Sequence, residues 1–330
     1  MPRVGDGKYK VWFNAMVTNA CPEKTTIGTL RTHAYSIRWL AERMDGFDAE
    51  EQQVPKPEQV MDYLDEAKIS EGRRASVLCA MKVWHRCRGE KELCGQYGPA
   101  LIRTRHLIKT QHNLQERSPA QQKNWVPYKC FKKYAAKLRQ EIFALPKDKI
   151  LTKDQYVQTT LAFILTFHLK YPVRNELRTV TWSNTEENHI TDKTLVLKKH
   201  KCAKSMGTIT FALSRPMQRL LRIIKTAQRH YGIEKDYVIL SKHWKPMTTG
   251  RFSSYLRREL KRIPECKDKS VTAMLLRHIC ITHKRHGQMT IAQEREFCRS
   301  CLHSVPRNNL YRIEKKRSSD LSSEKVTDPQ

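Results

Sequence analysis

Residues 271–313 read VTAMLLRHICITHKRHGQMTIAQEREFCRSCLHSVPRNNLYRI. The first part is an apolar helical run with one arginine, Arg277, inside it. His303 follows a second helical run, and Tyr311 lies eight residues further on. Tyr311 is the last tyrosine of the chain, and the next one upstream is Tyr255. A reaction that needs a covalent tyrosine therefore points to Tyr311. Arg277 is flanked by Leu275, Leu276, Ile279 and Ile281, so its charge lies close to a core. Such a charge needs a partner, either an acidic side chain such as Glu176 or a phosphate.

Upstream of this stretch the pattern is mostly helical. Ile27, Leu30, Ala34, Ile37, Ala41 and Met44 share one helical face. Further helices are predicted from Glu58 to Ala67, Gly72 to Arg88 and Pro99 to Glu116. Four short helices with basic outer faces suggest a bundle, suited either to a duplex backbone or to a protein partner. The polar stretch RSPAQQKNW, residues 117–125, breaks the helical period and marks the expected domain boundary. Helices from Tyr128 to Ile142 and Thr152 to His168 follow, the second apolar enough to be core.

Beyond Pro172 the period changes. Residues 187–190, 194–197 and 208–213 read as short strands, and the basic tip KKHKCAKSMG, closed by Gly207, lies between the last two. A helix starting at Pro216, an extended piece at 237–240 and a helix over 251–263 complete the pattern. The fold class expected is mainly α with a small antiparallel sheet. The domains expected are a helical bundle over 1–118, a second domain over 119–315 and a flexible tail over 316–330. Residues 314–330 hold four basic and four acidic side chains and little apolar surface.

The chain of 330 residues carries 62 Lys and Arg against 33 Asp and Glu, a formal net charge of +29. That excess points to a polyanionic partner, since each neutralised phosphate releases counterions. No run of about 18 apolar residues is present, which argues against a membrane span. The N-terminus lacks the apolar core of a secretory signal, so the ten cysteines are expected to be reduced thiols in an intracellular protein. The nucleus is the expected compartment if the source is eukaryotic or a virus of a eukaryotic host. Cys298 and Cys301 form a CxxC with His303 close by and His283 and His286 upstream. They share a helical face with Phe297 and Leu302, however, and read as small core residues and not as zinc ligands.

Four separated pieces, VRNELRTVTW, LKKHKCAKSMG, LLRHICITH and CLHSVPRNNLYRI, occur in this order. Together they resemble the boxes of the tyrosine recombinases, the phage-integrase type of DNA strand transferase, over residues 120–315. The resemblance implies that Arg174 is the first catalytic arginine and Glu176 its supporting carboxylate. It implies Lys201 as the catalytic lysine, with Lys204 next, and Arg277 as the second arginine, followed by His278 in support. His303 and the nucleophile Tyr311 come from the last box. Double-stranded DNA is the implied partner, a homo-tetramer on paired sites the implied assembly, and the reaction requires no cofactor and no metal.

The chemistry accounts for this set. A phenolate can attack a phosphodiester and leave again, storing the bond energy in a 3′-phosphotyrosine. Two arginines offer always-charged forked donors to the developing oxyanion, and a lysine delivers a proton to the leaving oxygen. Two features depart from the family pattern. Met274 stands three residues before Arg277, where a histidine is usual, and a thioether donates no hydrogen bond. The His303–Tyr311 spacing is also one residue shorter than usual. A type IB topoisomerase and a catalytically silent DNA-binding derivative are the competing readings.

Overall fold

The computed structural model describes residues 7–18, 26–48, 53–113, 116–146, 149–284 and 290–302. The chain divides into two units, Met1–Leu114 and Gln115–Gln330. Both are mainly helical, and the second contains a small antiparallel sheet.

The first unit holds α1 (Gly7–Thr18), α2 (Ile27–Ala41), α3 (Pro57–Glu66), α4 (Glu71–Cys87) and α5 (Lys91–Asn113). The entries are set by short polar caps, Thr26 accepting from the Thr29 amide and Ser70 from the Arg73 amide. Trp12, Ile37, Leu64, Met81, Trp84 and Tyr97 form the centre of its core, and the Trp12 and Trp84 rings meet edge to face at 5.1 Å. Three expectations need correction. Helix α1 adds a fifth member to the bundle, with Trp12, Ala15 and Met16 on its buried face. Ile27, expected inward, is the first residue of α2 and is exposed. Helix α5 begins at Lys91 and runs through Pro99, because burial of Cys94, Tyr97 and Leu101 on one face outweighs the cost of an interior proline.

The second unit begins with α6 (Pro119–Asn124), a short helix inside the stretch expected to be irregular. The reason is local: Ser118 and Gln121 form a reciprocal capping box, and Pro119 occupies the first turn. Then follow α7 (Tyr128–Phe143) and α8 (Lys153–Lys170). Helix α8 is the axis of the unit. Thr152 and Gln155 box its start, and apolar residues on nearly every side of it are buried. Strands β1 (His189–Ile190), β2 (Thr194–Leu197) and β3 (Ile209–Ala212) pair antiparallel in the order β1-β2-β3. Leu195 faces Phe211 and Leu197 faces Ile209, and all four are buried, so alternation turns one face of the ribbon to the core. The tip between β2 and β3 contains the short helix α9 (Ala203–Met206), ended by Gly207 at φ +64°. Residues 237–240 make only isolated bridges, Thr181 to Tyr237 and Leu240 to Pro246.

Helices α10 (Arg215–His230), α11 (Thr249–Leu260), α12 (Ala273–Lys284) and α13 (Ile291–Ser300) complete the unit. Helices α7, α10, α11 and α12 all pack on α8. Among the described residues no helix is long and apolar enough to cross a membrane. The basic surplus is divided unevenly. Residues 1–114 hold 18 basic and 14 acidic side chains, whereas residues 115–330 hold 44 and 19, so +25 of the +29 lies in the second part.

Candidate active site

Helix α8 ends at Lys170 because Pro172 cannot continue it, and the chain turns through Val173 into Arg174. Glu176 opens a 3-10 turn and folds its carboxylate back, Oε2 accepting from the Arg174 amide at 2.7 Å. Glu176 therefore acts on Arg174 through the backbone. Arg174 is half-buried. Behind it, the fully buried His168 directs Nδ1 at the Ile164 carbonyl, 3.0 Å away, and Nε2 at the Arg174 carbonyl, 3.3 Å away. Burial lowers the His168 pKa, and the charge of Arg277 acts in the same direction; the two carbonyls and Glu176 oppose them. A neutral imidazole donates from only one of the two nitrogens.

Arg277 lies on α12 and is completely enclosed. Its Nη1 donates to the Pro172 carbonyl at 2.8 Å. The partner that its burial demanded thus includes a backbone oxygen two residues before Arg174. Two turns further along α12, Lys284 Nζ donates to the Lys170 carbonyl at 2.5 Å, and burial lowers its pKa. One edge of α12 therefore grips the end of α8 just where the Arg174 segment begins. His278 is half-buried, and Met274, one turn before Arg277, is exposed.

The cations at the hairpin tip are unequal. Lys199 pairs with Glu187, and His200 Nε2 meets the Gly207 carbonyl at 2.8 Å. Lys201 and Lys204 are exposed, with no ion pair among the described residues. Cys202, beside Lys201, donates from Sγ to the Leu302 carbonyl at 3.3 Å. That bond joins the tip to the residue immediately before His303. Cys301 is buried, its thiol pushed up to about 12 by burial and drawn down in part by the nearby Arg277 charge. His303 and Tyr311 lie outside the described residues.

Four chain segments therefore meet. Arg277 reaches the Arg174 segment through Pro172, Cys301 lies within the field of Arg277, and Leu302 holds Cys202 beside Lys201. Tyr255 is unsuited to serve as a nucleophile here. It is buried, its hydroxyl donates to the Val157 carbonyl at 3.0 Å, and burial raises its pKa well above the ordinary value. Sequence reasoning does not mark two polar residues buried beside these segments, His168 and Asn188, the latter donating from Nδ2 to Thr179 Oγ1 and to the Lys199 carbonyl. The available signals are a histidine in an otherwise apolar helix, six residues before Arg174, and an asparagine leading into a strand.

No family model matches the chain, and no curated protein does. Among solved structures, it is similar to the XerA recombinase at 14% identity, over 93% of this chain and 94% of that one, with a TM-score of 0.41. It is also similar to the XerH site-specific recombinase in a post-cleavage complex with palindromic difH, at 13% identity, over 92% and 90%, with a TM-score of 0.44. The pre-cleavage complex of XerH with difH gives 12% identity, 94% and 91% coverage and the same TM-score of 0.44.

Proposed function

We propose that this chain is a site-specific DNA recombinase that cuts and rejoins strands through a 3′-phosphotyrosyl intermediate. The observation that carries this reading is the bond from the enclosed Arg277 to the Pro172 carbonyl, 105 positions away in sequence. It draws the two arginine segments to one point, as a two-arginine phosphate site requires. Tyr311 Oη attacks the phosphorus, its proton passing to water, and the bond to the 5′ oxygen breaks. The Lys201 ammonium gives that oxygen a proton. Arg174, Arg277 and His303 donate to the non-bridging oxygens, while Glu176 and His278 support the arginines. Attack by the 5′ hydroxyl of a second strand reverses the step, and the conserved bond energy makes ATP and metal unnecessary.

In this reading residues 1–118 are the DNA clamp, 119–315 the catalytic domain and 316–330 a tail. Four protomers act on two paired duplex sites. Because Arg277 is enclosed in the free protein, engagement of DNA must uncover it. That enclosure, with the exposed thioether of Met274, favours a second reading, a DNA-binding derivative that no longer cuts.

A pool of nicked duplexes with randomised sequence around the nick separates them. The expected result is a protein–DNA adduct that survives denaturant and disappears in Tyr311→Phe. Absence of adduct at every sequence would leave the silent derivative. An adduct that persists in Tyr311→Phe would overturn the residue assignment, and relaxation of any supercoiled plasmid by monomer would favour the topoisomerase.

A further inference from the structure

We propose that Asn188 is a positioning residue that joins the Arg174 segment to the Lys201 hairpin and so aims the proton donor. The inference rests on the function proposed above. Asn188 is fully buried at the entry to β1, and all four hydrogen-bonding positions of its side chain are used. Its Nδ2 donates to Thr179 Oγ1 at 2.8 Å and to the Lys199 carbonyl at 2.9 Å. Its Oδ1 accepts from the amides of Lys198 at 2.9 Å and Lys199 at 2.8 Å.

The two sides of this contact lead to different parts of the site. Thr179 Oγ1 donates onward to the Glu176 carbonyl at 2.8 Å, and the Glu176 carboxylate holds the Arg174 amide at 2.7 Å. Lys199 is two residues before Lys201. The β2–β3 pairing ends at Leu197 and Ile209, so the ladder does not reach Lys198 and Lys199. Asn188 takes over where the sheet stops. A continuous hydrogen-bonded path therefore runs from Arg174 to the turn that carries Lys201. An asparagine needed only to fill space would not require both a donor pair and an acceptor pair aimed at one turn.

The test uses the full-length protein and a nicked duplex whose leaving 5′ oxygen is replaced by sulfur. A thiol has an ordinary pKa of about 8.5, so the thiolate leaves without a delivered proton. With the oxygen substrate, Asn188→Ala is expected to slow adduct formation by about 10- to 100-fold, within the roughly 10²–10⁴-fold worth of general-acid catalysis. With the sulfur substrate it should return to within about threefold of the parent, as Lys201→Ala should, while Arg174→Ala stays slow on both. Thr179→Val, which loosens the path and leaves the hairpin contacts, should show the same pattern more weakly. Hydrogen exchange should show the Lys198 and Lys199 amides losing protection in Asn188→Ala.

Equal slowing of Asn188→Ala on both substrates, or no slowing, overturns the inference and leaves the proposed function standing. Unchanged protection of the two amides overturns it as well. A parent protein that forms no adduct with either substrate overturns both.

Discussion

The two units of this chain are built to different rules. Residues 1–114 carry a net +4 and close on a mainly apolar centre of Trp12, Ile37, Met81, Trp84 and Tyr97, with the buried His85 stacked on Tyr97 and paired with Glu90. Residues 115–330 carry +25, and their interior admits Arg277, His168, Asn188, Gln228 and Glu259. Each of these polar groups costs free energy unless it is partnered: Arg277 and Gln228 find partners far away in the chain, Asn188 bonds Thr179 and the turn after β2, and His168 and Glu259 are partnered within a few residues. The first unit thus resembles an ordinary packed bundle. The second accepts buried polarity and a larger surplus of positive charge.

The comparison can be broken most severely at the first core. Trp84→Ala is expected to cost that unit about 3–5 kcal/mol. Hydrogen exchange should quicken in α4 and α5 and stay unchanged in α8; quickening in α8 would mean that the two units unfold together. Next, Arg174→Ala should slow adduct formation by about 10²–10³-fold, the worth of one oxyanion donor, with the thermal midpoint unchanged. The exposed Arg86→Ala on α4 should stay within about threefold of the parent. Equal losses would put chemistry in both units.

A smaller effect concerns salt. Neutralising the exposed Lys129, Lys132 and Lys133 on α7 should reduce the slope of log affinity for duplex DNA against log salt by up to about 0.9 per charge. The matched set Arg86, Arg103 and Lys109 in the proposed clamp should change it less, in line with that unit's smaller surplus of charge, and no change at all there would remove the clamp role. The smallest effect concerns pH. Burial and the Arg277 charge depress the His168 pKa below its usual 6.5. Stability from a depressed histidine is complete above its unfolded value and is lost as pH falls through the lower folded value. The second unit should therefore weaken as pH drops below 6.5, and His168→Gln should flatten that dependence without affecting the first unit.

Where regularity and local chemistry act, the amino-acid pattern was enough to read the fold. The Thr152–Gln155 box and the apolar run after it announce α8, and the alternation in residues 208–213 announces β3. The order of the four boxes pointed to Arg174 and Arg277. What escaped reading depends on partners that periodicity does not encode. Arg277 bonds a backbone carbonyl, and no side-chain pattern marks that oxygen. Asn188 serves backbone groups across a hairpin, and His168 faces the carbonyls of Ile164 and Arg174 on either side of its own helix end, choices of partner that no period marks. Helix α6 is masked by its polar composition, although Ser118-Pro119-x-Gln121 is a start signal, and α5 starts eight residues before Pro99, a proline that resembles a first-turn residue in sequence.

The bond from Cys202 Sγ to the Leu302 carbonyl has a mechanical consequence. A thiol is a weak donor, so this joint yields under little force. A stiff joint would turn the hairpin and the end of α13 into a single lever that swings all at once. A yielding one leaves each arm free to shift without dragging the other.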